Sequence, residues 1–260
     1  MDLQTPGFNP LDLTEFNGAV WFEGFIDGFS GGQLWKLGND GSVTTWTNVS
    51  GPGIGEGLFA RLLPQADFTV FNNALWFNGL TETQGVQLYK LGNDDSVTLW
   101  TAINPGGGGL DPTNLTNFNN ALWFNGETPT QGAQLYKLGF DGSVTKWTAI
   151  NPAGGGLNPQ DLTGFNGNEW FSGNTDTQGN QLYKLGFDGS VTKWTAINPA
   201  GGGLFPRDIT EFNGNAWFNG ATTTQGDQLY KLGFDGSVTL WTAINPGTGA
   251  GLGKFPTSST

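Results

Sequence analysis

Neutral amide side chains recur at fixed positions of this 260-residue chain. One series precedes Gly and the other precedes Pro: Gln84, Gln131, Gln178 and Gln225, and Asn104, Asn151, Asn198 and Asn245. An uncharged amide both donates and accepts hydrogen bonds, and beside aromatic rings it suits hydroxyl-rich ligands such as sugars. For any one residue a loop-stabilising role is the simpler explanation, because Asn before Pro and Gln before Gly are common in loops. Both roles remain open.

A second polar series stands four residues before a repeated Phe: Asp12, Asp67, Asn114, Asp161 and Asp208. These side chains could attract a cation if they met at one place, but an Asp at a strand start more often caps a turn. The spacing of a calcium loop is absent, and the Gly-rich segments lack the Lys-Ser/Thr of a phosphate loop. The sequence predicts no metal site and no cofactor.

Several function classes are excluded by composition. The chain has no Cys and no His, so it has no disulfide, no cysteine or histidine metal ligand and no histidine base. No acid/base pair recurs, and Glu169 stands alone where other units have an apolar residue, so we predict no catalytic residue and no enzyme activity. A net charge of −12 is opposite to the basic surface that nucleic acid requires. No apolar run approaches the roughly 20 residues of a membrane span, and the first residues do not have the pattern of a signal peptide.

The polar series are part of a repeat that fills the chain. Phe-Asn recurs at intervals of 55, 47, 47 and 47 residues, starting at Phe16, Phe71, Phe118, Phe165 and Phe212. A Trp follows each Phe by five residues, and a second Trp lies near the end of each unit. Residues 134–157 and 181–204 are identical, which indicates recent duplication or design. Most of the 44 Gly and 11 Trp belong to this one pattern.

Each unit contains four strand candidates, here named A to D. In the third unit they are residues 115–118, 121–124, 134–138 and 144–148. Asn-Gly or Asn-Asn after strand A and Asp-Gly after strand C predict two-residue hairpin turns. The longer B–C and D–A connections, residues 125–133 and 150–159, then lie at the other end, which we call the loop face. Trp123 and Phe124 point to opposite sides of strand B, so both sides of the sheet need covering.

Stacking the units and closing them into a ring covers both sides of every sheet. The sequence therefore predicts an all-β fold, a five-bladed β-propeller of four-stranded antiparallel blades with about 47 residues per blade. The Trp and Phe series are predicted to form its core. An open β-solenoid and a two-sheet sandwich are the alternatives. We expect one domain over residues 1–256, a tail at 257–260 that starts a sixth repeat, and blades near residues 10–50, 64–104, 112–151, 159–198 and 206–245.

The first unit is longer than the others, mainly in its D–A linker. That linker carries an arginine and a short apolar run: Leu58, Phe59, Arg61, Leu62 and Leu63. It either contacts a partner or folds back onto the first blade, and the second explanation is the simpler one.

The repeat also resembles a known family. LTxFNGxLWFNG, QGxQLYKLGxDGS and INPxGG are similar to the motifs of the bacterial ELWxxDGT-repeat proteins, and QLWKLGNDGS at 33–42 is the nearest single segment. Here Gln replaces Glu, and Leu-Gly intervenes before Asp-Gly. The resemblance implies propeller blades and an extracellular or cell-surface setting, but no activity. The architecture is also similar to that of five-bladed lectins, without a shared sugar-binding motif.

These observations favour a noncatalytic, multivalent ligand-binding propeller that binds carbohydrate on the loop face between blades. On this hypothesis substitutions in the Asp-Gly turns leave binding intact. The alternative is a structural or protein-interaction scaffold without a small-molecule ligand. The expected partners are glycans or another protein, and we expect a monomer.

Overall fold

A computed structural model describes residues 8–26, 31–47, 58–60, 67–81, 83–198, 200 and 202–244. Five antiparallel sheets follow one another along the chain, and each pairs its four strands in sequence order. The first sheet has an additional short strand, β5, beside β3.

The strand bounds repeat closely from sheet to sheet. The first sheet contains β1 (Phe8–Phe16), β2 (Ala19–Ile26), β3 (Gly31–Leu37), β4 (Val43–Thr45) and β5 (Phe59–Ala60). The second contains β6 (Thr69–Phe71), β7 (Ala74–Thr81), β8 (Gly85–Leu91) and β9 (Val97–Leu99). The third contains β10 (Thr113–Phe118), β11 (Ala121–Thr128), β12 (Gly132–Leu138) and β13 (Val144–Lys146). The fourth contains β14 (Gln160–Phe165), β15 (Asn168–Thr175), β16 (Gly179–Leu185) and β17 (Val191–Lys193). The fifth contains β18 (Arg207–Phe212), β19 (Asn215–Thr222), β20 (Gly226–Leu232) and β21 (Val238–Leu240).

The predicted fold class is confirmed: the chain is an all-β, five-bladed β-propeller with four-stranded antiparallel blades. Short 3₁₀ turns lie in the D–A linkers, as at Pro105–Gly107 and Pro152–Gly154. None of the helical segments in the described ranges has the length and hydropathy of a membrane span.

The A–B turns have the predicted two-residue form. Both central residues adopt positive φ, as at Asn72 (48°) and Asn73 (54°) in the second sheet and Asn166 (51°) and Gly167 (67°) in the fourth. Asn and Gly tolerate this left-handed conformation, which matches the twist of the strands that the turn joins.

The C–D turns are one residue longer than the predicted two-residue turn. In the third sheet Gly139 N donates to Ser143 O (2.9 Å) and Gly142 N donates to Gly139 O (3.0 Å), so three residues form the loop. Only the last of them, Gly142, has positive φ, at 81°. The Asp-Gly dipeptide here ends a three-residue loop with a left-handed glycine.

The B–C connections are much shorter than predicted. Only three residues separate β11 from β12, and the ladder of the fourth sheet continues to the pair Thr175 and Gly179. The predicted loop at 125–133 is therefore wrong, because its polar residues mostly extend strands B and C. Hydrophobicity marks only the first half of strand B, whereas backbone pairing continues beyond it and buries polar residues such as Asn125 and Thr128.

The carboxylate series predicted from the sequence lies at irregularities of strand A. Asp12, Asn114, Asp161 and Asp208 adopt φ between 53° and 56° and fall where the A–B register shifts. Such a residue occupies a β-bulge, which tolerates Asp and Asn in this conformation. Asp67 instead accepts a hydrogen bond from Leu115 N at 2.6 Å. Within the described ranges no cluster of three or more acidic side chains is placed to hold a metal ion.

The chain divides into two compact units, residues 1–129 with 137–145 and residues 130–136 with 146–260. In the first unit, buried Trp21 and Leu34 of the first sheet pack in one cluster with Phe77 and Leu91 of the second. Trp76 and Phe77, adjacent on strand B, are both buried, so both sides of this sheet are covered as predicted.

The second unit has an equivalent core. Trp170 and Leu182 of the fourth sheet pack with Phe218 and Leu232 of the fifth, and Leu204 of the intervening linker joins them. The linker leucine is fully buried, and its carbonyl accepts a hydrogen bond from Ala221 N at 2.6 Å. The linker thereby connects two sheets through both its side chain and its backbone.

The predicted core is wrong in two respects: Phe212, the last Phe of the repeated series, is 69% exposed, and the second Trp of each unit is not fully buried. The second Trp of each unit lies one residue beyond strand D, and several of these indoles are partly exposed, from 36% at Trp194 to 57% at Trp241. They were assigned to the core because the pattern placed them inside a strand. The strand ends earlier, which leaves one side of the indole uncovered.

The start of the first linker contacts both neighbouring sheets. Phe59–Ala60 pairs with β3 of the first sheet, whereas the buried Leu58 accepts a hydrogen bond from Leu80 N of β7 in the second sheet at 2.7 Å. The pairing with β3 fits the explanation that the linker folds back onto the first blade. Arg61, Leu62, Leu63 and the predicted tail at 257–260 lie outside the described residues.

Candidate functional site

The predicted asparagines hold the D–A linkers in place. Asn104, Asn151 and Asn198 have left-handed φ of 50° to 53°. Their amide groups donate to linker carbonyls: Asn104 to Gly109 O (3.2 Å), Asn151 to Gly154 O (3.1 Å) and Asn198 to Gly203 O (3.3 Å). Asn245 lies outside the described residues. In these three linkers the amide N–H groups proposed for a ligand bind the chain itself.

The predicted glutamines lie in the B–C turns and vary in their contacts. Gln131 Oε1 accepts from Lys146 Nζ at 2.6 Å, and Gln178 Oε1 accepts from Lys193 Nζ at 2.9 Å. Gln225 N donates to Thr222 Oγ1 at 3.0 Å. Gln84 Oε1 is buried and has no hydrogen-bond partner among the described residues. The four side chains therefore do not present one shared arrangement to a ligand.

A different glutamine series organises the loop face. Gln87, Gln134, Gln181 and Gln228, on strand C, are at most 1% exposed. Gln134 Nε2 donates to Gln131 O and to Ile150 O, both at 2.8 Å. Its Oε1 accepts from Thr148 Oγ1 (2.8 Å) and Ile150 N (3.1 Å), so one side chain joins the B–C turn, the end of strand D and the linker. The signal was present in the repeated QGxQLYKL, where the second Gln stands within the strand.

The B–C turn and the linker are also in close backbone contact. A Cβ on Gly132 would lie 2.1 Å from the carbonyl carbon of Gly155, and a Cβ on Gly156 would lie 2.2 Å from Ala133 O. Ala133 and Gly156 form a parallel bridge between the two segments. The structure thus brings the predicted amides to one end of the blade, where the segments that carry them are packed directly against each other.

Aromatic and cationic groups gather at the opposite end, beside the A–B and C–D turns, which we call the turn face. In the second sheet Trp76 and Trp100 meet edge to face, with ring centroids 5.1 Å apart. Lys90 Nζ lies 5.0 Å from the centroid of Trp100 and 5.9 Å from that of Trp76. An ammonium group at such distances is attracted to the electron-rich ring faces.

The same cluster recurs in other sheets. Edge-to-face Trp pairs 5.1 to 5.3 Å apart join Trp21 with Trp46, Trp170 with Trp194, and Trp217 with Trp241. A strand-C lysine lies over one or both rings of each pair. The repeat therefore places several copies of one aromatic and cationic cluster on the turn face.

In the first four sheets a hydrogen bond to the following sheet fixes the second indole of the repeat. Trp100 Nε1 donates to Gly142 O at 3.0 Å, and Trp194 Nε1 donates to Gly236 O at 2.7 Å. Each acceptor belongs to the C–D turn of the next sheet. The ring edge is thereby held, while part of the ring face stays uncovered.

An open cleft of about 480 Å³ lies on the turn face of the second sheet. Its lining combines amides, hydroxyls, one carboxylate, one lysine, one glycine and one indole: Asn72, Asn73, Lys90, Gly92, Asn93, Asp94, Ser96, Thr98 and Trp100. Apolar ring surface beside a few convergent polar groups is a common arrangement in ligand sites. The cleft can therefore stack a flat apolar face on Trp100 and hydrogen-bond the groups around it.

The two charged groups of this cleft, Asp94 and Lys90, differ in their hydrogen-bond and ion-pair partners. Asp94 Oδ1 accepts from Ser96 Oγ (2.6 Å) and Ser96 N (3.1 Å), and these hydrogen bonds, with a smaller contribution from Lys90, lower the pKa of Asp94. Lys90 Nζ forms no ion pair with any described residue. The carboxylate is already hydrogen-bonded, whereas the ammonium has aromatic neighbours but no ion-pair partner in the part of the chain that the structure describes.

This cleft is not among the sites predicted from the sequence. Lys occupies the same strand-C position in all five units, between the two Trp positions in the chain, and this pattern was the available signal. The repeated lysine indicates a site only when the strand register is known, because the register brings the lysine and both indoles together. The register pairs Trp76 with Lys90 directly across strands B and C.

Comparisons with known proteins support the fold alone. No protein-family model matches the chain, and a search of curated protein sequences gives no match. Among solved structures, a puromycin hydrolase matches at a TM-score of 0.57 and 13% identity, covering 90% of this chain and 37% of that protein. A puromycin-hydrolyzing peptidase of Mycobacterium tuberculosis matches at 0.54 and 10%, with 90% and 38% covered. An oligogalacturonate lyase in complex with manganese matches at 0.53 and 10%, with 87% and 62% covered. The chain thus spans little more than a third of the length of the two hydrolases.

Proposed function

We propose that this chain is a noncatalytic, multivalent carbohydrate-binding propeller, and that the turn-face cleft of the second sheet is one of its binding sites. The observation that carries the proposal is the partly open indole of Trp100 beside amide and hydroxyl groups in one cleft. A sugar ring offers an apolar face for stacking and hydroxyls for the surrounding amides. The recurrence of the Trp pair with its lysine supports several such sites on one chain.

The carboxyl groups of the cleft support binding without catalysis. Glycoside hydrolysis usually requires two carboxyl groups, one on each side of the scissile bond. Among the described residues that line the cleft, Asp94 has the one carboxyl group, and its Oδ1 accepts two hydrogen bonds from Ser96. Incubation with a bound glycan should therefore give no shorter products, and cleavage by the purified protein would contradict the noncatalytic part of the proposal.

A site-resolved titration tests the location. A glycan array first identifies a binding sugar, and NMR then follows the indole N–H signals during its titration. The signal of Trp100, assigned with Trp100→Phe, should shift strongly, because its ring forms one side of the cleft. A blank array at high protein concentration would overturn carbohydrate binding itself.

A matched pair of variants separates the two faces. Asn72→Ala removes a cleft amide that donates to Phe140 O on the turn face, whereas Gln84→Ala removes a loop-face amide. We expect Asn72→Ala to weaken the Trp100 response and Gln84→Ala to leave it unchanged. If Gln84→Ala weakened the response and Asn72→Ala did not, the binding site would lie on the loop face, as the sequence pattern predicts.

A protein-interaction scaffold is the second candidate, and exposed phenylalanines favour it. Phe187 and Phe234, in the C–D turns of the fourth and fifth sheets, are 69% and 70% exposed. Exposed aromatic residues are frequent at protein interfaces. If glycan arrays stay blank, pull-downs that lose a partner in Phe187→Ser/Phe234→Ser would support this candidate.

A further inference from the structure

The first and second sheets differ at one charged position of the turn face. Lys36 Nζ lies 5.0 Å from the centroid of Trp21 and 4.8 Å from that of Trp46, as Lys90 lies over Trp76 and Trp100. Lys36 in addition forms an ion pair with the carboxylate of Asp95, which comes from the C–D turn of the second sheet. The first cluster therefore already contains a bound carboxylate.

Asp95 is the exception among five equivalent turn residues. The other four turns have Gly at this position: Gly41, Gly142, Gly189 and Gly236. Asp95 adopts φ 60° and Gly142 adopts φ 81°, so both have the same left-handed conformation. Lys90 thus faces a turn whose equivalent residue has no side chain.

The neighbouring turn is nevertheless placed in the same way. Trp46 Nε1 donates to Asp95 O at 2.8 Å, and Trp100 Nε1 donates to Gly142 O at 3.0 Å. The two clusters share the Trp pair, the lysine and the hydrogen bond to the following turn. The two clusters differ in the carboxylate: Asp95 of the following turn supplies one to Lys36, whereas Gly142 of the following turn supplies none to Lys90.

We propose that the cleft beside Lys90 binds an acidic saccharide, with a uronic acid carboxylate taking the position that the Asp95 side chain occupies beside Lys36. This inference rests on the proposed function and specifies its ligand class. The sugar ring stacks on Trp100, and its carboxylate accepts charge-assisted hydrogen bonds from Lys90 Nζ. The Lys36–Asp95 pair is the chain's own example of that contact.

The net charge of −12 does not oppose such binding at close range. Salt screens exposed charges beyond roughly 8 Å under physiological conditions. The cleft itself contains the charges of Lys90 and Asp94, and because Ser96 donates two hydrogen bonds to the Asp94 carboxylate, Lys90 is the charged group that the ligand carboxylate contacts. A second copy of the arrangement lies in the fourth sheet, where Lys184 Nζ is 4.8 Å from the Trp194 ring centroid and the following turn has Gly236. More than one acidic sugar should therefore bind each chain.

The test compares an oligosaccharide containing glucuronic acid with the same oligosaccharide after its carboxyl groups are reduced to alcohols. Calorimetry on the full chain should show at least tenfold tighter binding of the acidic form. Equal affinity for the two forms would overturn the inference but leave carbohydrate binding intact. Failure of both forms, together with a blank array, would overturn the proposed function.

Two variants test where the sugar carboxylate binds, because each should change the number of acidic sugars bound per chain. Lys90→Met keeps an unbranched apolar stem without the charge, and it should remove one acidic sugar per chain. Asp95→Gly restores the residue found in the other four turns and frees Lys36, so it should add one. Unchanged stoichiometry in both variants, with folding confirmed by near-ultraviolet circular dichroism, would overturn the assigned position.

Discussion

Glu169 is the residue whose chemistry fits its surroundings least. It lies on β15, is only 1% exposed, and pairs across the sheet with the buried Leu185. Burial raises its pKa from an ordinary 4.5 to about 8, and its Oε1 has no hydrogen-bond partner among the described residues. The equivalent residue of the third sheet is the fully buried Leu122. The folded protein therefore holds this carboxyl group in its neutral form near neutral pH.

A pH-dependent loss of stability follows. Because the folded pKa is higher than the unfolded pKa, the folded state binds the proton more tightly, and stability is greatest below about pH 4.5 for this group. It decreases as pH rises towards about 8, by up to ~1.4 kcal/mol per pH unit. Melting temperatures measured across this range should fall in the wild type and fall less in Glu169→Gln and Glu169→Leu.

The third sheet supplies the control for this prediction. Leu122→Glu places the same carboxyl group at the equivalent buried position, so it should introduce a second decline of melting temperature over the same pH interval. If the melting temperatures of the wild type and Glu169→Leu instead changed in parallel with pH, Glu169 would have the same pKa in the folded and unfolded protein, and the prediction would be wrong.

At the scale of the element, the strand-B glycine and the linker leucine fit together. A Cβ on Gly173 would lie 2.7 Å from Cδ2 of Tyr183 and 2.8 Å from Cδ1 of Leu157. Both neighbours are buried, and Tyr183 is further fixed by stacking on Phe171 with ring centroids 5.6 Å apart. The glycine is needed because the tyrosine and the leucine occupy the space that a side chain would take.

Gly173→Ala should therefore destabilise the protein by about 1–3 kcal/mol, as overpacking of a filled core does. The measurement is the free energy of unfolding in urea. Gly106→Ala is the matched control, because nothing lies within 4 Å of a Cβ at that linker position, and it should leave stability nearly unchanged. A Gly173→Ala variant as stable as that control would show that Leu157 and Tyr183 move aside freely.

The elements also show how far the sequence could predict this structure. The four strands and the A–B turns follow from alternating aromatic residues and from Asn-Gly, which are local signals. The B–C turns were predicted too long, since backbone pairing continues through polar residues such as Asn174 and Thr175. The bulge at Asp161 and the bridge between Ala133 and Gly156 depend on strand register, which no local pattern records.

The candidate site was harder to predict than the fold. The amides were chosen because they repeat, yet repetition marks structural and ligand-binding residues equally. Asn151 contacts a linker carbonyl, and Gln134, which was overlooked, holds three segments together. The cleft needs strands B, C and D in register before Lys90 and Trp100 become neighbours, so no local sequence pattern marks its residues as one site.

At the scale of the whole molecule, the excess of negative charge should affect stability. The chain has 22 Asp and Glu against 10 Lys and Arg, so like charges repel one another more in the compact state than in the extended one. Added sodium chloride screens this repulsion and should raise the melting temperature at neutral pH. The increase should disappear near the isoelectric pH, and the same increase at both pH values would assign it to a general salt effect.

The contacts between consecutive sheets have a consequence for how such a chain can lengthen. Each of the first four units supplies an indole N–H to the turn that follows and a leucine carbonyl to the strand B that follows, as Trp194 and Leu204 do for Gly236 and Ala221. A tandem duplication of one whole unit therefore inserts a blade whose donors and acceptors already match both neighbours. Selection can then retain the copy before any compensating mutation arises, and the identical segments 134–157 and 181–204 are what such a history leaves in a gene.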